Sequence, residues 1–570
     1  MRLTGAQIVC ECLVREGVDV IFGIPGGAIL PFYDALYHYP GIRHVLVRHE
    51  QAAAHAAEGY ARAAGKVGVC VATSGPGATN LITGLAAAKM DSVPMVAITG
   101  QVARPFMGKE AFQECDTTGL AKSVTKRSYL VLRASDLAPT MREAMEVAMS
   151  GRPGPVLVDV PKDVQAEVAE FQYPDAPVRP STGGLRSNDQ VLREAARLLA
   201  EAERPVIIAG HGVLISGAWE ELRQVAERAN VPVVNTLLGL GGFPRSHPLS
   251  LGMLGMHGMY WSNIAVAEAD LVLGVGMRFD DRVIGKPGTF APKAKVIHIE
   301  VEPSQVNKNV FAHLPLVGDA RQVLRALLPL LERRERSAWL ARLRLLQERH
   351  PSLFVPDGPG LPPQYVLARL DQMLHGLPDW VAVTGVGQHQ MWAAQYLSVE
   401  RPNSFISSGG LGVMGYELPA ALGAQMGRPG TTVWTIAGDG GFQMTLQELA
   451  TLAQENLPVK IAVFHNGCLG MVRQWQELFY ERRYKAIPVS SPDYVKLAEA
   501  YGFPGLQVTT REGVEPALER AMKYPGPFLI DFVVNTEENV YPMVPPGASL
   551  AETIEDPRSL AGVSVGAPAL

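Results

Sequence analysis

Asp439 and Asn466 are the residues whose types and spacing first suggest chemistry. They lie at the two ends of the stretch GDGGFQMTLQELATLAQENLPVKIAVFHN, residues 438–466. An apolar, β-rich run (431–437) leads into Gly438-Asp439-Gly440, and a second apolar run, VKIAVF, leads into Asn466. In an α/β unit this puts both residues at the carboxyl ends of parallel strands, the edge where such sheets bind ligands. One carboxylate and one amide oxygen form a sparse set of hard donors. Such a set suits Mg²⁺, which keeps water and substrate phosphates as its other ligands. Gly438, Gly440 and Gly441 leave room for a diphosphate to approach the backbone. The competing reading is an ordinary strand–turn–helix with an Asp cap.

Glu50 is the second candidate. It ends the run IRHVLVRHE, expected to be a strand, and begins an alanine-rich helix with few competing polar groups. A partly buried carboxylate there has a raised pKa and suits proton relay. A helix-cap acid favoured by the macrodipole fits the same position. A third, weaker signal is Gly210-His211-Gly212 after the strand PVIIAG, the start of a nucleotide-type glycine turn without a full GxGxxG.

The elements that must hold these groups alternate strand and helix along the whole chain. The strands are nearly all apolar, which argues parallel sheets covered on both faces. Pro-, Ser- and Gly-rich stretches at 172–189 and 350–363 read as linkers. At 570 residues the chain is too long for one core, and three α/β domains are expected. Beyond Asn466, GCLGMVRQWQELFYERRY has no clean helical stripe; its Met471, Trp475, Phe479 and Tyr480 suit a substrate wall or a packed surface helix. The Pro- and Gly-rich tail is expected to order only with ligand.

Composition bounds the rest. Apolar residues make up 47% and charged residues 19%, with a formal net charge of −5, so nothing favours nucleic acid or an anionic membrane. Five scattered cysteines are expected to be free thiols, as in a reducing cytosol. The N-terminus lacks a signal-peptide pattern and no apolar run is long enough to span a bilayer, so a cytoplasmic location is expected.

Several longer segments, in order, carry a resemblance. They include GIPGGAILPFYDAL, VRHEQAAAHAAEGYARA, SGPGATNL, AFQE, GRPGPVLVDVPKDV, NTLLGLG, LGMLGMHG, RFDDRV, GQHQMWAAQ, SGGLGVMG, IAGDGGFQMTLQEL and GMVRQWQELFY. Together they span essentially the whole chain, which resembles the catalytic subunits of the acetohydroxyacid synthase (acetolactate synthase) family of thiamine-diphosphate enzymes. The resemblance implies three doubly wound parallel-sheet domains: pyrimidine-binding (1–165), FAD-binding (185–335) and diphosphate- and Mg²⁺-binding (363–535), with a tail at 536–570. It implies thiamine diphosphate, Mg²⁺ and FAD as cofactors. The implied reaction decarboxylates pyruvate on thiamine diphosphate and transfers the hydroxyethyl group to a second pyruvate or to 2-oxobutanoate. That is the first common step of valine, leucine and isoleucine biosynthesis. A homodimer or homotetramer is implied, with a small regulatory subunit in many members.

The same resemblance assigns roles. Glu50 contacts the cofactor aminopyrimidine; Gly27, Phe112 and Gln113 border the reaction centre; Lys162 lies near the flavin or the cleft. Asp439, Asn466 and the carbonyl of Cys468 bind Mg²⁺. Gln388, His389, Gly412, Met414, Gly438, Gly440, Gly441 and Met471 belong to the thiamine side. Arg152, Gly210, Gly212, Thr236, Leu237, Met256, His257, Gly276, Arg278, Asp280, Arg282, Val283, Glu300 and Asp319 match the flavin site. Arg278 and Trp475 shape the pocket for the second keto acid. One departure is Glu417, where the family usually has glycine: it either faces the diphosphate or points to solvent. Another thiamine–flavin carboligase, a pyruvate oxidase and a non-catalytic paralogue are the alternatives; intact Glu50, Asp439 and Asn466 argue against the last.

Overall fold

The computed structural model describes residues 1–174 and 188–560. Most of the first linker, and the last residues of the tail, lie outside the described residues.

The near-continuous apolar runs form three six-stranded sheets, all parallel. Along the first sheet the strands run Arg43–Leu46, Val20–Gly23, Gly68–Ala72, Met95–Gln101, Pro155–Pro161, Arg127–Leu130. By sequence rank this is order 2-1-3-4-6-5. The third sheet repeats it with Phe405–Ser407, Trp380–Thr384, Thr432–Gly438, Lys460–His465, Phe528–Val533 and Gly505–Val508. The middle sheet differs: Ser250–Met253, Val233–Asn235, Pro205–Ala209, Leu271–Val275, Lys295–Glu300, Leu314–Val317, or 3-2-1-4-5-6. That is the strand order of dinucleotide-binding sheets, whose ligand crevice opens where the order reverses. Here the reversal lies between the strands ending at Ala209 and Val275, next to Gly210 and Gly276.

The first and third sheets share one apolar core. Its centre is the contact of helix Glu50–Ala64 with helix Glu417–Gly427. The alanine and glycine content of both helices explains this closeness: a Cβ on Gly59 would run into Ala420 O, and one on Gly423 into Ala56 O.

Several expectations change. The strand before Glu50 stops at Leu46, and Glu50 is the first residue of the helix. The half-exposed edge strand Arg127–Leu130 has no continuous apolar run to reveal it, and the short edge strand Leu314–Val317 carries a proline within its four residues. Residues 470–479 form a helix whose inward face carries buried Arg473 and Gln474, which hides any apolar stripe. The described tail is ordered: Gln388 and Arg473 donate to Glu538 O at 2.8 and 2.9 Å, and Gln474 donates to Val540 O at 3.0 Å. Arg558 closes that end on Glu538 and Asp556. These side chains satisfy carbonyls that burial would otherwise leave unpaired. The five cysteines are free thiols. No helix among the described residues is long and apolar enough to cross a membrane.

Candidate active site

On the third sheet, Thr432–Gly438 delivers Asp439 and Lys460–His465 delivers Asn466 to one edge. Asp439 is 2% exposed. Its Oδ2 accepts from Gly467 N at 2.8 Å and its Oδ1 from Gly440 N at 3.0 Å, so one carboxylate ties both loops together. Asn466 Oδ1 accepts from Cys468 N at 3.1 Å, and its amide donates to Gln388 Oε1 at 3.4 Å. Burial pushes the Asp439 carboxyl up to about 6, against the Gly467 N–H and His465. A carboxylate this buried, with an amide and a carbonyl beside it, gains from a divalent cation. Among the described residues no three His, Cys, Asp or Glu are grouped to hold a metal alone. The donor set therefore fits an ion whose remaining ligands are phosphate and water.

His389 packs on Gly438 and Gly387. Burial drives its pKa down to about 3, and its buried Nε2 has no partner among the described residues. Met414 stands over the same loop, 3.8 Å from where a Cβ on Gly440 would sit. Glu417 points neither to solvent nor into an open site. It is fully buried behind Gly385 and Gly441, and burial pushes it up to about 7 against the N–H groups of Gly415 and Glu417.

Glu50 sits at the corresponding edge of the first sheet. The capping bond of its helix belongs to His49, which accepts from Gln51 N at 3.1 Å. Glu50 is thus spared the capping role; its Oε2 accepts from Asn80 Nδ2 at 2.9 Å. Oε1 lies 3.3 Å from where a Cβ on Gly77 would sit. Gly27 is exposed, and Phe112 is 88% exposed. Gln113 holds a left-handed φ of 60° and lies against Gly75. Lys162 is exposed at the end of strand Pro155–Pro161, away from the cavity wall described next.

Between the three sheets lies a cavity of about 820 Å³. Arg152, Gly212, Thr236, Leu237, Met256 and His257 line it, as do Gly276, Arg278, Asp280, Arg282 and Val283. Glu300, Asp319, Gly412, Met471 and Trp475 complete that set. Gly210 lies directly behind: a Cβ there would be 2.7 Å from Met277 Cβ. Gly276 has φ 59°, and a Cβ on it would lie 2.5 Å from Gly212 Cα, so the strand ends meet only because both are glycine. Burial pushes Glu300 up to about 7 and His257 down to about 4. Three arginines for phosphates, buried carboxylates for hydroxyls and close backbone suit a dinucleotide.

Three stretches of the chain match models of one protein family. Residues 3–120 match the thiamine pyrophosphate enzyme N-terminal TPP binding domain, 192–327 the central domain and 385–532 the C-terminal TPP binding domain. The acetolactate synthase of Mycobacterium bovis is 49% identical over 562 residues, 96% of this chain and 91% of that protein. The chain belongs to the acetolactate synthase family of thiamine pyrophosphate enzymes. The acetolactate synthase large subunit of Corynebacterium glutamicum is 48% identical over 566 residues, 96% of this chain and 89% of that one. The isozyme 2 large subunit of Escherichia coli is 47% identical over 556 residues, 97% and 100%.

Within this acetolactate synthase fold, sequence reasoning missed Asp91 and did not set Arg282 beside Trp475. The guanidinium beside Trp475 is that of Arg282, 5.7 Å from the ring centroid; Arg278 instead approaches Met90 Sδ at 4.0 Å and Asp280 at 3.5 Å. The spacing within RFDDRV cannot rank its two arginines. Asp91 and His211 also line the cavity. Asp91 ends the helix Ile82–Asp91 and carries no motif of its own.

Proposed function

We propose that this chain is the catalytic subunit of an acetolactate synthase that acts as a homodimer, with Mg²⁺ and thiamine diphosphate held between chains and FAD in the cavity. One observation carries the reading. An Asp439–Asn466 oxygen set stands on one sheet and an uncapped Glu50 carboxyl on another of the same strand order, in separate hydrogen-bond clusters. A cofactor with a diphosphate at one end and a basic ring at the other needs both. The exposed Phe112 ring supports a second copy covering the Glu50 side.

Thiamine diphosphate, when bound, supplies the acidic ring carbon and the electron sink that decarboxylation requires. Asp439, Asn466 and the Cys468 carbonyl would hold Mg²⁺. His389, neutral and with its buried Nε2 unpartnered among the described residues, would face the diphosphate. Asn80 occupies Glu50 Oε2 as donor, which would leave Oε1 for the aminopyrimidine ring of the cofactor. Gly27, Phe112 and Gln113 border that end, Lys162 lies toward the flavin or the cleft, and Met414 supports the cofactor's middle. Arg282 takes the carboxylate of the second keto acid next to Trp475, a role better suited to it than to Arg278. Trp475 favours 2-oxobutanoate over pyruvate by apolar contact. FAD, bound through Arg152, Arg278 and Glu300, contributes no net redox step. The product enters branched-chain amino acid synthesis; a small regulatory subunit and a cytoplasmic location accompany the reading.

The test is incubation with pyruvate, thiamine diphosphate, Mg²⁺ and FAD. Acetolactate is expected; hydrogen peroxide or acetyl phosphate instead would identify an oxidase.

A further inference from the structure

The last turn of the helix Ile82–Asp91, with Ser92 after it at φ 62°, lies where the three sheets meet. Within the first segment, Arg152 Nε donates to Ser92 Oγ at 2.7 Å and Arg152 Nη2 to Met90 O at 3.1 Å. From the middle segment, His211 Nδ1 bonds Asp91 O at 2.8 Å. From the third, Gly409 N donates to Asp91 Oδ2 at 3.0 Å and Gly410 N to Asp91 Oδ1 at 2.6 Å. Arg152, His211 and the turn itself all face the cavity.

The Asp91 carboxylate is 1% exposed, and both of its oxygens are used on two successive glycine N–H groups. A Cβ on Gly410 would lie 2.7 Å from Asp91 Oδ1 and 2.9 Å from Met90 Cβ, so the loop is pressed onto the turn. That loop continues through Gly412 to Met414, which stands over Gly440 beside Asp439. Ser408 braces it further by accepting from Val413 N at 3.1 Å. The polar contacts continue on the other side of the loop. Tyr416 donates to Glu58 at 3.1 Å, and Glu58 lies in the helix that Glu50 begins.

We propose that Asp91 is a positioning residue that links the two cofactor sites: a dinucleotide filling the cavity fixes residues 90–92, and the Asp91 carboxylate passes that order to the loop carrying Met414. The cavity wall and the thiamine loop then share one rigid element, and filling either site lowers the cost of ordering it for the other. Linkage is reciprocal, so thiamine diphosphate tightens flavin by the factor with which flavin tightens thiamine diphosphate. The inference rests on the reading that the cavity takes FAD and the loop takes thiamine diphosphate. An amide at position 91 keeps one acceptor and turns an N–H₂ group onto the second glycine N–H, which breaks the clamp with little change in volume.

The experiment titrates FAD by its fluorescence with and without Mg²⁺–thiamine diphosphate, in wild type, Asp91→Asn and Ser92→Ala. In wild type a linkage of about 5-fold or more is expected. Asp91→Asn is expected to bind FAD with its linkage reduced to near unity. Ser92→Ala, which loses only the Arg152 contact, is expected to weaken FAD and keep the linkage. Asp91→Ser gives the same reading if Asp91→Asn does not fold. Wild type that takes up no flavin would overturn the cavity assignment itself. Flavin uptake without linkage in wild type, or wild-type linkage in the Asp91 variants, would overturn the role of Asp91 alone.

Discussion

The cavity between the sheets is walled by side chains of one chain, whereas Glu50 and Asp439 sit in separate hydrogen-bond clusters on different sheets. The contrast follows from topology. The middle sheet, ordered 3-2-1-4-5-6, has its own crevice next to Gly210 and Gly276, and the neighbouring sheets close it into a chamber. The first and third sheets, both ordered 2-1-3-4-6-5, each present one edge with one kind of group. One edge presents the Glu50 carboxyl, whose Oε2 accepts from Asn80; the other presents the oxygens of Asp439 and Asn466. On the proposed reading, a chain would hold one cofactor whole and the other only by half.

The largest effect that tests this contrast comes from Glu50→Ala. Acetolactate formation is expected to fall by about 10²- to 10⁴-fold, the usual share of acid–base catalysis. Flavin content per chain, read from its absorbance, is expected to stay unchanged; joint loss of flavin would break the separation. Gly276→Val attacks the other site, because its side chain would enter Gly212. Flavin affinity measured by fluorescence is expected to drop more than about tenfold, with thiamine diphosphate binding weakened far less.

A smaller effect separates the acceptor contacts from both cofactors. Trp475→Leu is expected to lower the ratio of acetohydroxybutyrate to acetolactate by about tenfold, since one methylene contributes about 1–3 kcal/mol. An unchanged ratio removes Trp475 from acceptor selection.

The smallest effect lies behind the thiamine edge. Glu417 has its carboxyl raised from 4.5 to about 7 by burial. An acid raised on folding destabilises as pH rises from its unfolded value through its folded one. Glu417→Gln is therefore expected to melt close to wild type at pH 4.5 and above it at pH 8, by at most about 3 kcal/mol. Parallel melting curves across that range would show that the Glu417 carboxyl is not raised.

Much of the thiamine edge was legible from the sequence because local chemistry encodes it. A strand, a glycine-flanked acid, a helix, a second strand and an amide follow one another within 438–466, and the fold brings Asp439 and Asn466 to one edge. Glu50 was legible only as a choice between cap and relay; the choice turns on which neighbour makes the capping bond, and His49 makes it. Asp91 was not legible at all. Its partners Gly409 and Gly410 are more than 300 positions away, and no periodicity marks a contact of that range. Edge strands were missed for a different reason: Arg127–Leu130 is half exposed, so its sequence carries no buried-strand pattern.

The central claim, that one working thiamine site draws Glu50 from one chain and Asp439 from another, is tested most directly by complementation. Glu50→Ala and Asp439→Ala chains are each expected to be inactive alone. After subunit exchange, a mixed dimer holds one site with both residues intact, and an equimolar mixture is expected to recover about a quarter of wild-type acetolactate formation per chain. Verified mixed dimers that recover no activity would contradict the account.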